Sequence, residues 1–218
     1  MVSEQKAPRF FRLKQFPPPL ALPALAFIVA AVFTWRKTPG LYDDFTREVF
    51  IFRVISRGGL FNRDIYSIFG PLSALMNGGL MRVFGDSIAV VLAANLVVIF
   101  SIMVTVCLLL DRLFSRTAGV VGGLVFILLF AFAQYGFLES FNFAAPYSHD
   151  LTYGTLFSLL ALYFLTSPPS AAAPILGGVC CGLALLTKLE LIVALGLAAG
   201  FQVVANLVRR TWSPAKAA

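Results

Sequence analysis

The chain has 218 residues, of which 59% are hydrophobic and only 12% charged, and its mean hydropathy is +0.88. A water-soluble domain carries about a quarter of its residues as Asp, Glu, Lys and Arg, so this composition excludes an ordinary soluble globule. The net charge of +7 reads as the basic ends of membrane helices, which gather on the cytoplasmic side, and not as a surface for nucleic acid.

A membrane-crossing helix needs about 20 mostly apolar residues. Six blocks meet or approach that length, at 19–35, 88–110, 118–138, 151–165, 174–187 and 191–208; the fourth and fifth are short. The first follows a basic lead (Lys6, Arg9, Arg12, Lys14) and ends in Trp35-Arg36-Lys37 with no small-residue cleavage site. It reads as an uncleaved first helix and not as a signal peptide.

The segment 36–70 is the one long polar loop. Within it, residues 44–57 predict a helix, with Phe45, Val49, Phe52 and Ile55 at three- and four-residue spacing and Thr46, Arg53 and Arg57 on the other side. An amphipathic helix lying in a membrane interface has this pattern. Gly58-Gly59 ends it, and Gly70-Pro71-Leu72 starts a further helix, residues 71–84, that we place at the membrane face.

Beyond the second block, Arg112 and Arg116 share the basic character of both tails. With an even number of spans, both termini and this turn lie on the cytoplasmic side of the cell (inner) membrane, and 36–70, 139–150 and 187–190 face outward. The expected fold is therefore all-α. It is a polytopic helical bundle of about six transmembrane helices, with juxtamembrane amphipathic helices in the first outer loop, forming a single transmembrane domain over residues 1–218. Cys107, Cys180 and Cys181 fall inside apolar blocks and read as packing residues, not as a disulfide framework.

The acids concentrate on the outer side: Asp43, Asp44, Glu139, Asp150 and Glu190. Asp43 and Asp44 open the loop helix, where one acid suffices as a cap and the other is left to accept a proton or bind a metal. His149, the sole histidine, stands beside Asp150 as a candidate ligand for a divalent cation or as a structural residue. Lys188 and Glu190 lie too close in sequence to pair on a continuous helix; charge at membrane depth reads either as function or as a helix end. The loop arginines face an anion, such as a lipid phosphate, or the lipid headgroups at large.

In order, Tyr42-Asp43-Asp44, Arg57-Gly58-Gly59, Asp64, Gly70-Pro71-Leu72, Phe84-Gly85-Asp86-Ser87 and Gly182-Leu183-Ala184-Leu185-Leu186-Thr187-Lys188 form a pattern that resembles the GT-C superfamily of polytopic glycosyltransferases. The likeness is to its bacterial protein mannosyltransferase-like, aminoarabinose transferase-like and lipopolysaccharide-core transferase-like members, over about residues 21–208. The resemblance implies transfer of a sugar, with inversion, from a polyprenyl-phosphate donor to a glycan, lipid or protein acceptor at the outer face. It puts the general base on Asp43 or Asp44 and a second acid on Asp150. It draws the lipid-phosphate contacts from Arg57, Arg63 and Lys188, with Glu190 beside them, and places a divalent metal ion, if one is used, at His149. It further implies that the chain is the N-terminal module of a longer transferase. Two other readings stay open, a non-catalytic membrane scaffold and a transporter; nearly uniform apolar spans, with Asn95 and Gln202 as mild exceptions, weigh against transport.

Overall fold

The computed structural model describes residues 20–35, 37, 44–132, 142–167 and 171–211, with the side chains at 199, 202, 203 and 205–211 outside the description. Among these residues the chain is all-helical, with only an isolated bridge between Phe61 and Ile65. The helices are α1 (Ala21–Thr34), α2 (Asp44–Ser56), α3 (Leu72–Phe84), α4 (Ile88–Leu113), α5 (Arg116–Val125), α6 (His149–Leu165), α7 (Ala172–Leu185) and α8 (Leu189–Thr211); α5 runs on as a π-helical stretch, Phe126–Ala131. Each of the six apolar blocks contains a helix, and so do the two segments expected in and after the outer loop. By length and composition one of them, α4 with 26 residues, is clearly long and apolar enough to cross a membrane; α1 and α7 have 14 residues each.

Local chemistry sets the boundaries. Ser87 caps α4 by accepting from the Ala89 N–H at 3.2 Å, and Ser115 caps α5 by accepting from the Ala118 N–H at 3.2 Å. Gly58 takes φ 92° just past α2, a backbone region that favours glycine, and the Gly58 and Gly59 amides return to Ile55 and Val54. Thr187 interrupts the chain between α7 and α8: its Oγ donates to the Ala184 carbonyl at 2.6 Å.

Side-chain contacts fix the helix directions. Asn95 near the start of α4 meets His149 at the start of α6, and Arg112 near the end of α4 donates to the Tyr163 carbonyl and Ser167 Oγ, both at 2.7 Å, at the end of α6. The two helices therefore run side by side in the same direction. Gly154 abuts Leu191, and Ala161 shares a core with Leu195, so α8 runs with them. In α1, Pro23 lies against Gly123 and the Phe27 ring meets Phe132 at a tilt with centroids 5.7 Å apart, so α1 runs with α5, opposite to α4. Helices α4, α6 and α8 thus oppose α1 and α5, and α7 returns the chain from the end of α6 to the start of α8. One end of the bundle carries α2, α3 and the starts of α4, α6 and α8; the other carries Arg112, Arg116 and Ser167.

The main core joins α1, α4, the π-helical stretch and α6 through Ile99, Ile102, Met103, Ile127 and Tyr153. A second core seats α2 and α3 through Phe45, Val49, Phe52, Ala74 and Met81. The apolar face of α2 is thus covered by protein. The outward faces of the long helices are apolar as well: Val32 in α1 is 72% exposed, Val97 in α4 67%, and Leu197 and Phe201 in α8 71% and 75%.

Candidate functional site

The polar groups inside this apolar chain collect at the α2–α3 end. Glu48 leaves the buried face of α2 and reaches His149, the first residue of α6. Its Oε2 accepts from the His149 backbone N–H at 2.7 Å and lies in close contact with the ring Nδ1. Phe52 packs edge-on to the imidazole with centroids 4.9 Å apart, and Phe45 lies at 5.6 Å. On the far side, Nε2 is 3.1 Å from Asn95 Nδ2, which also donates to the Ala144 carbonyl at 3.1 Å. Glu48, Asn95 and His149 are all buried.

Asp150 follows at the second position of α6 and is buried as well. Its carboxylate has the Ser73 hydroxyl and backbone amide as hydrogen-bonding neighbours, in the first turn of α3, where the helix dipole favours negative charge. Among the described residues its buried Oδ1 has no partner, and the same holds for Ser148 Oγ and Asn142 Nδ2. One turn farther along α6, the Tyr153 hydroxyl donates to Asn77 Oδ1 at 3.2 Å. Tyr153 also floors an apolar groove of about 640 Å³ between α3 and α4, lined by Trp35, Met76, Leu80, Phe84 and Val97 among others.

A backbone seam brings Lys188 to this end. The Gly70 N–H donates to the Thr187 carbonyl at 2.8 Å, and the Leu72 N–H to the Leu186 carbonyl at 3.1 Å. A side chain on Gly70 would run into the Leu186 carbonyl, so only glycine permits the approach. Thr187 also packs against Gly154, one turn below Asp150. The Lys188 ammonium rests over the Phe69 ring at 4.1 Å and near the Tyr147 ring at 5.4 Å. No carboxylate pairs with it among the described residues.

The other expected residues are placed differently. Asp43 lies outside the described residues. Asp44 opens α2 and pairs with Arg47 at 3.1 Å. Arg57 and Arg53 grip the two oxygens of Asp86 at 2.8 and 2.6 Å; Arg53, and then burial against it, together with Arg57 leave that carboxyl below its ordinary range. Arg63 forms a two-point pair with Asp64 at 2.9 and 2.7 Å. That pair, with the Leu60 N–H, lowers Asp64 to about 2 and raises the Arg63 guanidinium. Arg47, Arg53, Arg57 and Arg63 thus each face a carboxylate. Glu190 is exposed in the first turn of α8. Among the described residues no group of three or more His, Cys, Asp or Glu is arranged to hold a metal ion, and both ring nitrogens of His149 have protein partners.

Sequence reasoning brought Asp150, His149 and Lys188 to the site and missed Glu48, Ser73, Asn77, Asn95 and Tyr153. A signal existed for Glu48, which lies on the stripe formed by Phe45, Val49 and Phe52, where an acid requires a buried partner. No protein-family model matches the chain, no curated protein matches it, and no solved structure matches it.

Proposed function

We propose that this chain is a multi-pass membrane protein of the cell envelope whose α2–α3 end transfers a sugar from a polyprenyl-phosphate donor to an acceptor hydroxyl. The observation that carries this reading is the Gly70–Thr187 seam, which gathers at one end of an apolar bundle Lys188, a cation, and Asp150, a buried carboxylate, where among the described residues no carboxylate pairs with the first and no partner meets Oδ1 of the second. The apolar outer faces of α1, α4, α7 and α8 support the membrane assignment, and alternating helix directions suit repeated crossing.

The chemistry needs two services. The acceptor oxygen attacks the anomeric carbon from the side opposite the phosphate, its proton passes to a carboxylate, and the carbon–oxygen bond to the phosphate breaks with its electron pair staying on the phosphate. Lys188 stabilises that leaving charge, and its two aromatic neighbours hold the ammonium in place without neutralising it. Asp150 receives the proton or orients the hydroxyl, through Oδ1. The first-loop acids Asp43 and Asp44 are the further candidates for the base, and the groove beside Tyr153 suits an apolar chain.

The test is release of polyprenyl phosphate from a panel of polyprenyl-phosphate sugars by the protein in lipid nanodiscs, with wild type, Lys188→Ala and Asp150→Asn compared. Turnover is expected to fall about 100-fold or more in each variant. Wild-type protein that releases none, or variants that keep full turnover, defeat the reading.

A further inference from the structure

We infer that Glu48 is a positioning residue that acts on Asp150 through His149; this deepens the transfer reading and rests on it for its functional consequence. The first amides of a helix lack intrahelical partners. In α6 the residue placed to cap them, Ser148, makes no side-chain cap bond, and its buried hydroxyl has no partner among the described residues. Glu48, coming from α2, takes that office: its Oε2 binds the His149 backbone N–H and faces the ring Nδ1 of the same residue. A carboxylate there also meets the positive end of the α6 dipole.

The hydrogen bonding assigns the ring proton. Asn95 Nδ2 has two hydrogens, and one is committed to the Ala144 carbonyl. The amide can offer only its other hydrogen to Nε2, so Nε2 accepts and the ring carries its proton on Nδ1, toward Glu48. Helices α2 and α4 thereby hold both the start of α6 and the orientation of the ring. Asp150 is the next residue, and the same turn of backbone sets its carboxylate against Ser73 with Oδ1 free. Two helix starts, of α6 and α3, are thus each met by a carboxylate from another helix, and the first placement fixes the second.

The chain holds one histidine, so ¹⁵N-histidine labelling of the protein in nanodiscs gives one unambiguous imidazole signal. The wild type is expected to show a protonated Nδ1 and a bare Nε2. In Glu48→Ala the Nδ1 resonance shifts as its acceptor is lost, while Nε2, still facing the Asn95 amide, stays bare. The Asp150 ¹³C carboxyl resonance, assigned by its loss in Asp150→Asn, shifts with Nδ1, and amide protection at 149–152 falls about tenfold, as loss of a cap implies. Ser101→Ala moves none of these. Should Glu48→Ala fail to fold, Glu48→Gln keeps the size and an acceptor oxygen, and in it the ring and Asp150 resonances must still move together. A ring protonated on Nε2, or an Asp150 resonance indifferent to both Glu48 changes, overturns the proposal. In transfer assays Glu48→Ala lowers turnover up to about 100-fold, the cost of a misplacement near 1 Å, and adds nothing in the Asp150→Asn background; additive losses overturn action through Asp150. If the wild type transfers no sugar, the enzymatic reading fails and the spectra still decide the positioning.

Discussion

The Gly70 amide donates to the Thr187 carbonyl at 2.8 Å, across 117 residues of chain (187 minus 70). With the bond from the Leu72 N–H to the Leu186 carbonyl, this contact joins the loop before α3 to the break between α7 and α8. A Cβ at Gly70 has no space, because the Leu186 carbonyl is backbone and cannot swing aside as a side-chain tip would. Gly70→Ala is therefore expected to open the seam at a cost of about 1–3 kcal/mol, as overpacking does, read as a lowered midpoint of thermal unfolding in detergent. Gly79→Ala, in α3 where a Cβ meets nothing within 4 Å, serves as the comparison and is expected to be neutral or slightly stabilising.

Tyr153 and Asn77 form a second buried pair, with hydroxyl and amide oxygen 3.2 Å apart and both side chains enclosed. Tyr153→Phe removes the donor and strands Asn77 Oδ1, whose Nδ2 already lacks a partner. The expected loss is about 1–3 kcal/mol, the cost of an unsatisfied buried acceptor. Combining Tyr153→Phe with Asn77→Leu should recover most of it, since two apolar groups of similar size replace the pair. A double variant no more stable than Tyr153→Phe alone argues against the pairing.

Much of the fold was legible because hydrophobic blocks and breakers are local signals. The start of α3 and the glycine end of α2 follow from Pro71 and Gly58. The site was legible only in part. Asp150, His149 and Lys188 stood out as polar residues at the edges of apolar blocks. Glu48, although it lay on an apolar stripe, was hidden because its partner is 101 positions away. The charge count of the first loop is basic along the sequence, yet Arg53 and Arg57 converge on Asp86, which lies beyond the loop. Pairing across sequence distance decides both cases, and neither composition nor periodicity encodes it.

The Arg63–Asp64 pair gives a pH prediction. Asp64 is depressed to about 2 chiefly by its hydrogen bond from Arg63, then by the Leu60 N–H. A carboxyl lowered in the folded state contributes stability above its unfolded value, about 4, and loses that contribution as pH falls through the folded value. Protection of the Leu60 amide, which donates to Asp64 Oδ2 at 2.8 Å, should therefore hold at pH 5 and disappear on acidification past about 2. A ¹³C titration of the Asp64 carboxyl with its midpoint near 4 contradicts the pair. Both side chains are largely exposed, so the change is confined to the turn and does not unfold the bundle.

The alternating helix directions give a test of membrane crossing that is independent of any activity. Tyr66 projects at the α2–α3 end and is 78% exposed; Phe114, in the turn between α4 and α5 at the opposite end, is 75% exposed. If α4 crosses the bilayer, these two positions lie on opposite sides of it. Cys107 and Cys180 are buried and Cys181 is partly covered, so a background with Cys181→Ser leaves little intrinsic labelling. Tyr66→Cys is expected to react with a membrane-impermeant maleimide in intact spheroplasts, and Phe114→Cys only after lysis. Reaction of both from outside removes α4 as a span, and with it the assignment of the Asp150 and Lys188 end to the outer compartment. Reaction of Phe114→Cys alone keeps the span and reverses the orientation, which would place the site where a donor at the outer face could not reach it.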